Sequence, residues 1–233
     1  KVDIENIHLS DDVLSAADSD CDLIIELIGG TDVAYNLVKK AISNGKCVIT
    51  ANKALIAERG DELFKLSYDK KTYLGFEAAV AGAIPIIKSL THNMQNERIL
   101  SISGIINGTC NYILDQMTFE NKSFSDALTA AQELGYAESD PTFDIGGFDA
   151  AHKISILAML AYGIKSPFKN VHIEGIESIE SMDIDYANEL GYKIKHVGLV
   201  KSENSTIDCR VHPVLINKSN ILSNVDGVMN AVR

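Results

Sequence analysis

The sequence predicts a two-part fold: a partial, open parallel α/β sheet with helices packed on it, followed by an α+β domain. Three observations predict it. Short apolar runs alternate with helical-period runs up to Glu77, which is the signature of strand–helix–strand units. The first of these strands, Asp22-Leu-Ile-Ile-Glu-Leu-Ile28, is nearly continuous in apolar residues, as a buried parallel strand is. Past Gly163 the pattern changes to strands that alternate polar and apolar positions.

In chain order, the strand of Asp22–Ile28 ends at Gly29-Gly30. A helix is predicted over Val33–Asn44, from Val33, Leu37, Val38, Ala41 and Ile42 at helical spacing, with Gly45 as its stop. Lys46–Thr50 is a second strand, Leu55–Tyr68 a second helix and Lys71–Glu77 a third strand. Ligands of such sheets bind where loops leave the carboxyl ends of strands. That singles out Gly29-Gly30-Thr31, Thr50-Ala-Asn-Lys53 and Glu77–Gly82. The glycine fingerprint G-x-G-x-x-G is absent after the strand, and Gly29-Gly30 does not replace it.

A helix entered through Pro85 is predicted over Ala83–Leu90, then a strand over Ile99–Ile106. A helix follows with Thr109 as its cap, and another spans Ser125–Leu134, closed by Gly135. Val171–Ile176, Lys195–Val200 and Ile207–His212 read as strands, with a short helix over Ile184–Gly191. His172, His196 and His212 lack metal-ligand spacing and read as structural.

The 233 residues suffice for two ordinary domains. A formal charge of −11 argues against nucleic acid or an anionic membrane surface as the main partner. No apolar run approaches the roughly 18–20 residues of a membrane span, and no signal-peptide pattern opens the chain, so a cytoplasmic location is expected. The four scattered cysteines match neither a zinc site nor a disulfide framework. The chain begins at Lys1-Val-Asp-Ile without Met and stops mid-pattern at Arg233, which reads as a fragment.

The stretch with most chemistry is Leu134–Gly163. A loop carrying Glu138, Asp140 and Asp144 leads through Gly146-Gly147 to a helix with Asp149 and Lys153 one turn apart. Such a pair is usually a surface ion pair worth about 0.3–0.5 kcal/mol. Here the same row continues as Ile156, Leu157 and Leu160, which points Lys153 toward the interior.

Taken together, Thr50–Ala54, Glu77–Ile87, Ser103–Leu114, Leu134–Pro141 and Gly147–Lys153 occur in the order and spacing of homoserine dehydrogenase, and the chain resembles that family over nearly its whole length. The resemblance implies interconversion of L-homoserine and L-aspartate 4-semialdehyde with NAD(P), in threonine and methionine biosynthesis. It implies that residues 1–82 are the C-terminal part of a Rossmann-like dinucleotide-binding domain, and that 83–233 form a catalytic, substrate-binding and dimerisation domain. It gives Lys153 the proton exchange with the substrate hydroxyl, places Lys53 near the nicotinamide and substrate oxygen, and makes Glu138, Asp149 and Asp144 substrate contacts. Gly29 and Gly135 would contact cofactor. Glu77, Val80, Gly82 and Ile84 would supply oxygens to a monovalent cation, Na+ or K+, with Ala83 where a glycine is common. A homodimer is implied. The strand-1 fingerprint and the C-terminal end of the family plan would be missing. Two rivals remain: another amino-acid or semialdehyde dehydrogenase with a two-domain plan, whose substrate would not need Glu138 if it lacked an ammonium, and a non-catalytic dimerisation or ligand-sensing module.

Overall fold

The computed structural model describes residues 7–204 and 206–233; the opening Lys1–Ile4 lies outside them. The chain divides into two compact units, Lys1–Ala79 and Val80–Arg233.

In the first unit, β1 (Leu23–Glu26), α1 (Asp32–Ser43), β2 (Cys47–Thr50), α2 (Lys53–Lys70) and β3 (Leu74–Gly75) alternate as expected. The strands pair in parallel in the order β1-β2-β3. Ala34, Leu37, Val38, Ala41 and Ile42 of α1 are buried, as their spacing predicts, and Leu55, Ile56 and Leu63 of α2 join them. Strand β3 is shorter than predicted. Lys71 instead takes a left-handed conformation that ends α2, and the Thr72 N–H donates back to Ser67, so those residues close a helix rather than pair in a sheet.

At the carboxyl ends of β1 and β2 the unit is held by buried polar groups. The fully buried Glu26 accepts from the Thr50 hydroxyl at 2.5 Å and from the Ile28 and Gly29 amides at 2.7 and 3.2 Å. Thr50 Oγ1 in turn accepts from the Asn52 amide at 2.9 Å. Asn52 caps α2 through the Leu55 amide and donates to the Gly30 carbonyl at 2.6 Å. One side-chain network therefore shapes both loops that leave this end of the sheet.

The second unit opens with a short α3 (Ile86–Lys88) that widens into a π-helical turn, Ser89–Asn93. The longer predicted helix does not start at Ala83, which has φ 68, a left-handed value that no helix continues, and Pro85 disfavours helical backbone at Ile84. Then come β4 (Ser101–Ile105), α4 (Gly108–Glu120), α5 (Phe124–Glu133), α6 (Thr142–Ile145) and α7 (Phe148–Tyr162). They are followed by β5 (His172–Ile173), α8 (Ser181–Glu189), β6 (Tyr192–Glu203), β7 (Thr206–Asn217) and β8 (Ala231–Val232). The sheet order is β5-β7-β6-β4-β8, antiparallel except for the β5–β7 pair. Strands β6 and β7 pair along their whole length, from Tyr192↔Asn217 to Glu203↔Thr206, well beyond the predicted cores. Strand β5 is cut to two residues because the Ile176 amide turns away to the Ile145 carbonyl.

Helix α7 is buried on nearly every side, from Ala150 to Met159, and one core joins α4, α5 and α8 through Ile113, Leu114, Met117, Ala127, Ala131 and Ile184. All four cysteines are free. Among the described residues no helix is long and apolar enough to cross a membrane.

Thr50→Val keeps the side chain's shape and removes both bonds of its hydroxyl. It is expected to destabilise the protein by about 1–3 kcal/mol, the cost of leaving buried partners unsatisfied. Urea unfolding checks this; a change under about 0.5 kcal/mol would show that the rung is not under load.

Candidate active site

Two helix starts build this site, both within the second unit. The first is that of α4. Asn107 precedes it in extended backbone, and its Oδ1 accepts from the Cys110 amide at 2.8 Å. The cap is therefore Asn107 and not the predicted Thr109, whose hydroxyl donates to the Tyr136 carbonyl at 2.6 Å instead. With Oδ1 committed, both Asn107 amide hydrogens have one acceptor each: Asp144 Oδ1 and Asp149 Oδ2, both at 2.8 Å. Every polar position of this side chain has a partner, and a flipped amide would satisfy none of the three.

The second start is that of α7. Gly147 has φ 88, a conformation that costs a side-chain-bearing residue, and it lets α6 turn directly into α7. Asp149 then falls in the first turn of α7, where the helix dipole favours a carboxylate, yet the residue is 3 % exposed. Lys153, one turn on, donates to Asp149 Oδ2 at 2.6 Å and to the Ile106 carbonyl at 2.8 Å. An ammonium has three N–H donors, and these bonds use two.

These groups line one side of an open concavity of about 330 Å³, bounded by Asn107, Thr109, Gly135, Tyr136, Asp144, Asp149, Lys153 and Val228. Two carboxyl groups and one ammonium converge there. The wall thus offers carboxyl charge for a cationic group and one ammonium hydrogen for an oxygen. Behind it, burial pushes the Cys110 thiol well above its ordinary pKa, with Asp144 and Asp149 adding to the shift. Its Sγ donates to the Asp144 carbonyl at 3.2 Å, so Cys110 is a packing group and not a nucleophile.

Of the residues singled out from sequence, Asp144, Asp149, Lys153 and Gly135 line this concavity. Glu138 is exposed and is not among the lining residues; its carbonyl accepts from Gln132 at 3.0 Å. In the first unit, Gly29 has φ 82 and is exposed just past β1, and Lys53 is the first residue of α2, three residues beyond the end of β2. Glu77 opens a 3-10 turn, Glu77–Ala79, and beyond it the Ile84 amide donates to the Ala81 carbonyl at 2.9 Å. Sequence reasoning missed Asn107 and Val228. Asparagine directly before a Gly-Thr helix start is a signal for the first; Val228, more than a hundred residues away in the chain, gives none.

Two family models match the chain: "Homoserine dehydrogenase, NAD binding domain" over residues 5–77 and "Homoserine dehydrogenase" over residues 85–233. A homoserine dehydrogenase of Neisseria gonorrhoeae is 53% identical over 217 residues, which are 93% of this chain and 50% of that protein. The crystal structure of a homoserine dehydrogenase from Thiobacillus denitrificans superposes with a TM-score of 0.95 at 47% identity, covering 97% of this chain and 53% of that one. A hyperthermophilic archaeal homoserine dehydrogenase in complex with NADPH superposes with a TM-score of 0.76 at 30% identity, covering 91% of this chain and 60% of that one. The expectation of a truncated fragment, short of its glycine-rich cofactor motif and its C-terminal end, is corrected by these findings. The Thiobacillus superposition takes in 97% of the chain, so it carries family structure along its length. The chain spans about half the length of the curated relatives it matches.

Asn107→Ala removes a helix cap and is expected to cost about 0.5–2 kcal/mol. Asn107→Asp keeps a good capping oxygen but replaces a two-hydrogen donor with an acceptor facing Asp144 and Asp149. It is therefore expected to be the less stable of the two at pH 7 by urea unfolding. An Asn107→Asp variant as stable as the unsubstituted protein would contradict the bridging role.

Proposed function

From a chain that belongs to the homoserine dehydrogenase family, we propose the interconversion of L-homoserine and L-aspartate 4-semialdehyde, carried out on the concavity around Lys153. The observation that carries this reading is a half-buried lysine with two N–H bonds committed and a third left for a ligand oxygen, beside two carboxyl groups. Homoserine presents the complementary groups, an ammonium and a terminal hydroxyl.

Lys153 holds the oxygen that changes between carbonyl and alcohol: in reduction the ammonium gives its third proton to that oxygen and is left a neutral amine, and in oxidation the neutral amine takes the hydroxyl proton back. Asp149 and the Ile106 carbonyl fix the ammonium's position, so that its remaining N–H is aimed rather than mobile. Asp144, Asp149 and Glu138 supply negative charge for the substrate ammonium. Glu138 is the exposed member of the set and does not line the concavity.

The nicotinamide cofactor, NAD or NADP, supplies the hydride acceptor or donor when bound. The first unit's residues fit such a group. A side chain built at Gly29 or Gly30 would meet no atom within 4 Å, so a flat ring can approach that backbone closely. Lys53, half-buried, begins a helix capped by Asn52 and supplies a cation for the cofactor. Gly135, which lines the concavity of the second unit, is also proposed as a cofactor contact. A monovalent cation, Na+ or K+, is proposed on oxygens of Glu77, Val80, Gly82 and Ile84. Left-handed backbone at Ala81 and Ala83 supports it, because it reverses successive carbonyls at a cost that an ion would offset. The family also implies a homodimer; exposed Tyr186, Leu190 and Leu215 beside an apolar concavity of about 420 Å³ support a partner on the second unit.

Lys153→Ala is expected to lower kcat for NADPH-dependent reduction of aspartate semialdehyde by about 10²–10⁴-fold, the usual contribution of a positioned proton-transfer group. A loss below about tenfold would remove Lys153 from that role.

A further inference from the structure

A second buried ionic cluster lies outside the proton-transfer wall. Lys195 of β6 is 0 % exposed, and its ammonium donates to Asp115 Oδ1 at 2.6 Å, Val225 O at 2.7 Å and Asn111 Oδ1 at 3.0 Å. All three of its hydrogens are used. Asp115 Oδ2 accepts from the Gly227 amide at 2.6 Å, and Asn111 Nδ2 donates to the Val225 and Gly227 carbonyls, both at 2.8 Å. Three buried side chains thus grip a three-residue length of backbone, Val225–Gly227, through two carbonyls and an amide.

The grip has a direction. Gly108, Asn111 and Asp115 are spaced by three and four residues, so they share one face of α4. The segment lies along that face: Gly227 at Asp115 and Asn111, and Val228 at Gly108. A Cβ at Gly108 would meet the Val228 carbonyl at 2.9 Å, so only glycine allows so close an approach. Val228 lines the concavity together with Asn107 and Lys153. Beyond it the chain enters β8, which pairs with β4 at Ile105↔Ala231, next to the Ile106 carbonyl that receives Lys153.

We propose that Lys195, Asp115 and Asn111 are positioning residues that clamp the Val225–Val228 segment on α4, so that Val228 sets the length of amino-acid substrate the concavity accepts. This rests on the functional reading above and deepens it. None of the three clamp residues needs to touch substrate. A fixed apolar wall discriminates against one extra methylene by about 10–200-fold, and a loosened wall loses that discrimination before it loses chemistry.

The test compares kcat/KM for L-homoserine with that for its homologue one methylene longer, using the full chain. Val228→Ala and Lys195→Met are each expected to reduce the preference for homoserine at least fivefold, with KM for the nicotinamide cofactor changed less than twofold. A double variant is expected to show no further loss, because both act on one wall. Hydrogen–deuterium exchange at the Gly227 amide is expected to rise at least tenfold in Asp115→Asn and Lys195→Met, and to stay unchanged in Val228→Ala. Unchanged preference in folded Val228→Ala and Lys195→Met overturns the specificity claim, and unchanged exchange overturns the clamp. If Lys195→Met fails to fold, Val228→Ala and exchange in Asp115→Asn decide. If the unsubstituted chain oxidises neither alcohol, the functional reading fails and the specificity claim falls with it. Exchange then judges the clamp alone.

Discussion

Asp149 is 3 % exposed, and a carboxyl group so placed has to be satisfied by the protein. The Lys153 ammonium at 2.6 Å and the Asn107 amide at 2.8 Å are among its partners. Much of the second unit follows from that requirement. Asn107 can reach Asp149 only because it caps α4, which fixes α4 against the start of α7. Lys153 can reach it only because α7 keeps helical spacing from its first turn. Removing one partner of such a buried pair typically costs about 3–5 kcal/mol, so the pair constrains the fold as well as serving the site. That bond and the one to the Ile106 carbonyl leave the ammonium one further hydrogen beside the concavity.

The two units solve a shared problem in different ways. In the first, buried Glu26 collects three donors, from Thr50, Ile28 and Gly29, and so shapes the loops at the carboxyl ends of the strands. In the second, Lys195 collects three acceptors and ties a distant segment to α4. Desolvation pushes the Asp115 pKa up, while its bond to Lys195 works the other way. In both units the polar groups are buried where a loop has to be held, which is where apolar packing alone gives little directional control.

The residues that obey a period were legible. Helix α1 shows its buried stripe in the spacing of Leu37, Val38, Ala41 and Ile42, whereas β1, whose continuous apolar run reads as a strand buried throughout, is buried at Ile24 and Glu26 and exposed at Leu23 and Ile25. The i,i+4 relation of Asp149 and Lys153 reads by itself as a surface ion pair; the apolar row below it points the pair inward, and both side chains line the concavity. What escaped is non-local. A lysine in a strand reads as solvent-facing, and nothing near Lys195 announces that Asp115, eighty residues earlier, will neutralise it. Strand alternation offered a weak signal, since Lys195 shares a face with Val197, which is buried. The short β3 and the broken start of α3 were lost to left-handed residues at Lys71 and Ala83, neither of which is a residue type that advertises that conformation.

The central claim is that the third hydrogen of Lys153 is reserved for the reacting oxygen of an amino-acid substrate. The most direct measurement is the nitrogen NMR signal of the Lys153 side chain during titration with L-homoserine and, separately, with L-2-aminobutyrate, which has the same ammonium and carboxylate but no hydroxyl. The account predicts that both ligands bind and that only homoserine shifts the Lys153 signal. Homoserine binding that leaves the signal in place, or equal shifts with both ligands, would contradict it.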